Sequence, residues 1–225
     1  MLVNKIIKTH YQEHLYSPQQ GCTITMFPAD HGFSFTPTAG SGTTWNPSDK
    51  GANVTLSGAN LIASTGISQS GSVRSVKGHS SGLVYAELKD LTAIQESLCL
   101  GIALGSGVNM ESYPYPSASA WGMIFNGNKF TGGVGAAYGN AFAQNDIVCV
   151  ALNISTGKVW FGPNGVWGGG GDPSAGTGEA FSGLAAGTYY LIGGSSSTVA
   201  ESHSINAESS TFIYNIPSGF SSWGV

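Results

Sequence analysis

Charge is what this chain has least of. Only 9% of its 225 residues are Asp, Glu, Lys or Arg, and Arg74 is the single arginine. The usual share is about a quarter. With a net charge of −4 and its lysines scattered, the sequence offers no basic stripe to follow a phosphate backbone, so nucleic acid is not an expected partner. Long apolar runs are missing too. None approaches the length that spans a bilayer, and MLVNKIIKTH lacks the apolar stretch of a secretory signal. The expectation is a soluble chain made in the cytoplasm, with no membrane insertion. Cysteine is scarce and odd in number: Cys22, Cys99 and Cys149. The last two sit inside the apolar runs SLCLGIAL and IVCVAL, where small buried thiols are at home, so no structural disulfide is expected. Adjacent strands would still leave an approach of Cys99 to Cys149 open.

Glycine and aromatic residues are what the chain has instead. Its 34 glycines are about twice the usual share. The 41% of hydrophobic residues, with 5 Trp, 9 Tyr and 10 Phe, supply enough apolar surface for a packed core despite the low charge. Its polar surface must then be made of Ser, Thr, Asn and backbone. A chain of this length fits one domain with an appended arm.

The segment from Asp146 to Trp167, DIVCVALNISTGKVWFGPNGVW, sets the fold class. Two apolar runs joined by Ser-Thr-Gly, the second closed by Pro-Asn-Gly, read as antiparallel strands with tight turns. Residues 147–152 are apolar at every position, which periodicity alone would also grant a helix. The run's brevity, its Val and Ile content and the flanking turn residues favour a strand buried on both faces. In the next strand Val159 and Phe161 alternate with Lys158 and Trp160. Further strand-length runs fall near 54–56, 61–64, 72–77, 83–88, 97–104, 121–125, 129–131, 188–193 and 212–216. So many short strands predict an all-β protein, a two-sheet antiparallel sandwich or a barrel. The stretches 106–120, 168–179 and 195–210 read as long loops, where binding usually resides.

Residues 1–43 differ in composition from the rest, holding three of the five histidines and little glycine, and read as an N-terminal arm. Ile7, Tyr11 and Leu15 would share one side of a short helix stopped by Pro18, or the segment is extended. The domain proper is assigned to residues 44–225.

Several segments then match a known family in order: WNPSDKGANVTLSGANLIAST, SVRSVKGHSSGLVYAEL, LGIA, WGMIFNGNKFTGG, NDIVCVALNISTGKVWFGPNGVW, GDPSAGTGEAFSGLAAGTYYLIGG and IPSGFSSW. On these residues the chain from Trp45 onward resembles SPRY-like (concanavalin A-like) domains, in the version found in tailed-bacteriophage virion proteins. That resemblance implies a sandwich used as a binding or structural module without chemistry. It also implies a virion location on a tail, fibre, baseplate or capsid, and other virion subunits as partners of the arm. A homo-oligomer is expected because symmetric assembly is common.

Catalytic and cofactor chemistry has thin support. Glycoside hydrolysis needs two carboxyl groups facing one cleft, and no two acids here lie two residues apart, the spacing that shares a strand face. Glu87 and Asp90 are three apart and point to opposite faces. His10-Tyr11-Gln12-Glu13-His14 fits the H-x-x-E-H zinc pattern but stands in the arm, beside no recognisable catalytic domain. Incidental surface histidines are the expectation, with a metal held between arms of an oligomer as the alternative. The Gly168–Gly171 run lacks the Lys-Ser of a phosphate loop, and Asp172 with Glu179 is a sparse set for calcium. No catalytic residue, metal or cofactor is expected. The candidate ligand residues are aromatic: Tyr113, Tyr115, Trp121, Tyr138 and Trp167, near loops, offering flat apolar area among hydroxyls and amides to a host-surface glycan or protein. The alternative is that these rings cover the sandwich edges or pack against a neighbouring virion subunit, and for Trp121 and Trp167 packing in the core or at an edge is the favoured reading.

Overall fold

A computed structural model describes residues 42–92 and 97–225 in full, and the backbone of 22–26 and 33–37. The chain divides into two units, 1–40 and 41–225. Within the first, β1 (Cys22–Met26) and β2 (Phe33–Pro37) form an antiparallel hairpin in which Ile24 is opposite Phe35. The helix considered for Ile7, Tyr11 and Leu15, and the His10–His14 motif, lie outside the described residues.

The second unit is a sandwich of two antiparallel sheets. Its strands are β3 (Trp45–Lys50), β4 (Val54–Ser57), β5 (Ile62–Thr65), β6 (Ser70–His79), β7 (Leu83–Asp90), β8 (Cys99–Leu104) and β9 (Ala120–Ile124). They continue with β10 (Asn128–Thr131), β11 (Val134–Ala137), β12 (Ile147–Asn153), β13 (Lys158–Pro163), β14 (Tyr189–Ser196), β15 (Glu201–Asn206) and the two-residue β16 (Ser221–Ser222). The first sheet runs β11-β10-β9-β8-β14-β6-β3, the second β13-β12-β7-β15-β5-β4. β16 adds to β7 in parallel, beside Val84 and Tyr85.

Alternation sorts each central strand between two cores. From β12, Val148, Val150 and Leu152 enter the core between the sheets, where they meet Leu100 and Ile102 of β8 and Leu191 of β14. Ile147, Cys149 and Ala151 face the other way into a second cluster, closed by Phe212, Tyr214, Ile216 and Phe220. β8 repeats the plan. Its Cys99 and Ala103 join Phe130 and Ile192 in a third cluster, covered by Val108, Tyr113 and Tyr115. The molecule is therefore layered as cover, sheet, core, sheet, cover, and each fully buried Val, Leu or Ile contributes about 1.5–3 kcal/mol. Cys99 and Cys149 are free, on the opposite outer faces of the sandwich, which removes the approach left open above.

Four stretches depart from the sequence reading. Residues 212–216 form no strand. They follow the 3-10 turn Ser209–Thr211, and the N–H groups of Ile213 and Tyr214 donate to the buried Glu87 carboxylate, at 3.0 and 2.8 Å, in place of a ladder. The 195–210 stretch is not one loop: residues 201–206 are strand, with Glu201, His203 and Ile205 turned inward in strict alternation. β3 and β11 escaped notice: WNPSDK carries turn residues, and all four residues of VGAA are exposed.

The inward polar residues of β15 are accommodated individually. Glu201 accepts the Ser97 N–H at 3.2 Å. His203 packs edge-on to Trp45, ring centroids 5.3 Å apart, and lies opposite Asp90 in the ladder. Its Nε2 has no hydrogen-bond partner among the described residues and rests against β14, where a Cβ on Gly193 would stand 2.2 Å from it. Gly193 is thus the space the imidazole occupies. Burial lowers the His203 pKa from 6.5 to about 4. Unfolded chains take up this proton first as pH falls. The corresponding stability is complete above pH 6.5 and drops by about 3 kcal/mol on the way to about pH 4. Urea denaturation of the wild type between pH 7 and pH 4.5 should show this loss, and His203→Gln should lack it; superimposable pH profiles would contradict the assignment.

Candidate functional site

Two open clefts among the described residues bear on the aromatic candidates. One, of about 220 Å³, lies along the loop after β8 and is lined by Val108, Asn109, Tyr113 and Pro116 among others. The other, of about 260 Å³, lies between residues 138–140 and 166–170. These segments follow β11 and β13, so this cleft sits where an edge of the first sheet meets an edge of the second.

The five aromatic candidates divide between these places. Tyr113 and Tyr115 are half-buried and stacked, centroids 5.9 Å apart and 10° from parallel, and Tyr115 stacks in turn on Phe130 at 5.5 Å. Their loop lies down on the outer face of the first sheet, with only Tyr113 reaching a cleft. Burial raises the Tyr113 hydroxyl pKa. Trp121 packs at the margin of the central core against Tyr189, at 6.0 Å, and lines neither cleft. Tyr138 and Trp167 meet in the second cleft.

Tyr138 is fixed from three sides. Its hydroxyl donates to the Gly178 carbonyl at 3.1 Å, Lys129 Nζ stands 5.3 Å from its ring centroid, and the backbone of Gly168 lies beneath the ring. A Cβ on Gly168 would be 2.4 Å from Tyr138 Cε1. Burial pushes the Tyr138 pKa up to about 12. Trp167 meets Tyr85 edge-on at 6.3 Å and lines the cleft beside Gly168–Gly170.

The loop behind this cleft is also held. Lys129 donates to Ala180 O at 2.6 Å, Lys158 to Gly176 O at 2.9 Å, and the Trp160 indole to Thr177 O at 2.8 Å. The two residues considered for calcium have other engagements. Asp172 caps its own turn by accepting from Ser174 N–H, and Glu179 pairs with Lys158 at 3.2 Å. A backbone N–H, then Lys158, holds the Glu179 carboxyl below its usual range. Among the described residues no group of three His, Cys, Asp or Glu is placed to hold a metal.

Glu87 and Asp90 take opposite faces of β7, as their spacing implies. Glu87 faces the cover segment, and Asp90 is turned inward and accepts the Thr92 N–H at 2.7 Å. Neither lines either of these two clefts. The buried thiol of Cys149 is pushed up to about 11 by burial, and that of Cys99 well above its ordinary value.

Comparison with known proteins rests on structure. No family model matches the chain. No curated protein matches it either. Among solved structures it is similar to the SPRY domain of human HERC1, with a TM-score of 0.59 and 18% identity, over 72% of this chain and 96% of that chain. The fold is SPRY-like. At that identity the likeness establishes architecture, and function has to be argued from the site.

Asn140, Val166 and Gly168–Gly170 were not among the candidates from sequence. The glycine run signalled a loop but not its role as the floor under Tyr138, and nothing around Asn140 distinguished it. Replacing Gly168 by Ala should displace the Tyr138 ring and lower stability by about 1–3 kcal/mol in urea denaturation, the cost of overpacking. An unchanged midpoint would show that the ring does not depend on that floor.

Proposed function

We propose that this chain is a bacteriophage virion structural and adhesion protein, borne on a tail, fibre, baseplate or capsid, in which the SPRY-like sandwich is a non-catalytic binding module. Residues 1–40 are its attachment segment to other virion subunits. The observation that carries the binding role is the closure of both outer sheet faces by the chain's own cover segments. A domain completed in this way is a rigid scaffold with its clefts among the loops, the arrangement that recognition proteins share. The sequence motifs quoted above support the virion setting. A non-catalytic role is favoured by the engagement of Glu87, Asp90 and Glu201 with backbone N–H groups inside the protein, away from the clefts.

The attachment role is supported by the β1–β2 hairpin. Two five-residue strands are marginal in water by themselves, so such a segment gains stability from a partner surface. Deleting residues 1–40 should leave the strand-type far-ultraviolet dichroism of the sandwich intact while abolishing incorporation into particles. Truncated protein incorporated at normal copy number would overturn the attachment role.

A further inference from the structure

Unused polar groups and a fixed aromatic wall coincide in the cleft between residues 138–140 and 166–170. Trp160 and Trp223 donate their indole N–H groups to carbonyls, and Trp45 buries its own. The Trp167 indole N–H has no protein acceptor among the described residues and is not sealed from solvent. The exposed Asn140 carboxamide makes no hydrogen bond among the described residues. Between them runs the glycine backbone of residues 168–170, whose lack of side chains lets a ligand approach the peptide groups.

We propose that this cleft binds a neutral carbohydrate residue, an inference that rests on reading the sandwich as a binding module. No charged side chain lines the cleft, which disfavours a phosphate, a carboxylate or a metal ion. Lys129, the cation beside Tyr138, is engaged by the Ala180 carbonyl. An apolar peptide side chain would find a single aliphatic wall, Val166. Addition of a peptide strand is obstructed along β13, because Val159 already exchanges backbone hydrogen bonds with Ala180 and Phe181. What remains suits a ring with hydroxyls around its rim: aromatic area for its C–H face, and an indole N–H, a carboxamide and peptide groups for the hydroxyls. The clamps on Tyr138 and on the 171–181 loop hold this geometry before any ligand arrives, which lowers the ordering cost of binding.

The test is saturation-transfer NMR of the full chain with glucose, galactose, rhamnose and N-acetylglucosamine, each also titrated against Asn140→Ala and Val166→Arg. Both positions are exposed, so the variants should keep the wild-type dichroism. At least one sugar should bind, with affinity weakened about tenfold or more in each variant. Asn109→Ala, in the other cleft, should bind as wild type. Absence of any transfer signal, a signal indifferent to Asn140→Ala and Val166→Arg, or one lost only in Asn109→Ala would overturn the proposal. Because the assay uses purified protein, its failure is distinct from that of the virion reading: a chain that enters particles but binds no sugar refutes the cleft alone.

Discussion

A central strand that is apolar at every position must be covered twice. β12 has six consecutive buried residues, so its sheet needs one layer on each face, and the first sheet supplies only one of them. The C-terminal stretch supplies the other. Over residues 212–220 it does not join as a strand, since β12 and β7 already pair with each other and with β13 and β15; only Ser221–Ser222 adds to β7. It lies across the face instead, and its unpaired N–H groups need acceptors. Glu87 meets that need, which explains a carboxylate at 1% exposure among aromatic rings. The Tyr85 hydroxyl, 3.2 Å from both Glu87 Oε1 and Cys149 Sγ, completes the polar network under the cover.

The same requirement shapes the first sheet and, through it, the candidate site. The loop after β8 covers the outer face of β8, so Tyr113 and Tyr115 act first as its covering layer. With both faces closed, the margin where the segments after β11 and β13 come together is left for Tyr138, Trp167 and the glycine run. Lys129 and Lys158 are two of very few cations in the chain, and both hold the loop behind that margin. Scarce charge is thus concentrated on geometry and not on a ligand field. The resulting cleft is rigid and uncharged.

How far the sequence revealed this varies with the local physics. Strands with one- or two-sided burial were legible, because Val148 to Leu152 and Val159 to Phe161 declare their environment by residue type alone. β15 was hidden by inward polar residues: Glu201 and His203 are stabilised by the tertiary partners Ser97, Trp45 and Gly193, and nothing local reports them. The opposite error arose at Phe212, Tyr214 and Ile216, whose alternation is that of a strand but whose hydrogen bonds go to a side chain. Within the site, Tyr138 and Trp167 were accessible as aromatics near turns, whereas their meeting is a product of sheet topology. Asn140 and Val166 acquire meaning only there.

The central claim is that the C-terminal cover is an integral layer of the fold, held by Glu87. Amide hydrogen exchange followed by NMR tests it directly. The account predicts that the Ile213 and Tyr214 amides exchange with protection close to that of Val148 to Leu152, opening only with the sheet they cover. Free exchange at Ile213 and Tyr214 beside a fully protected β12 would contradict it.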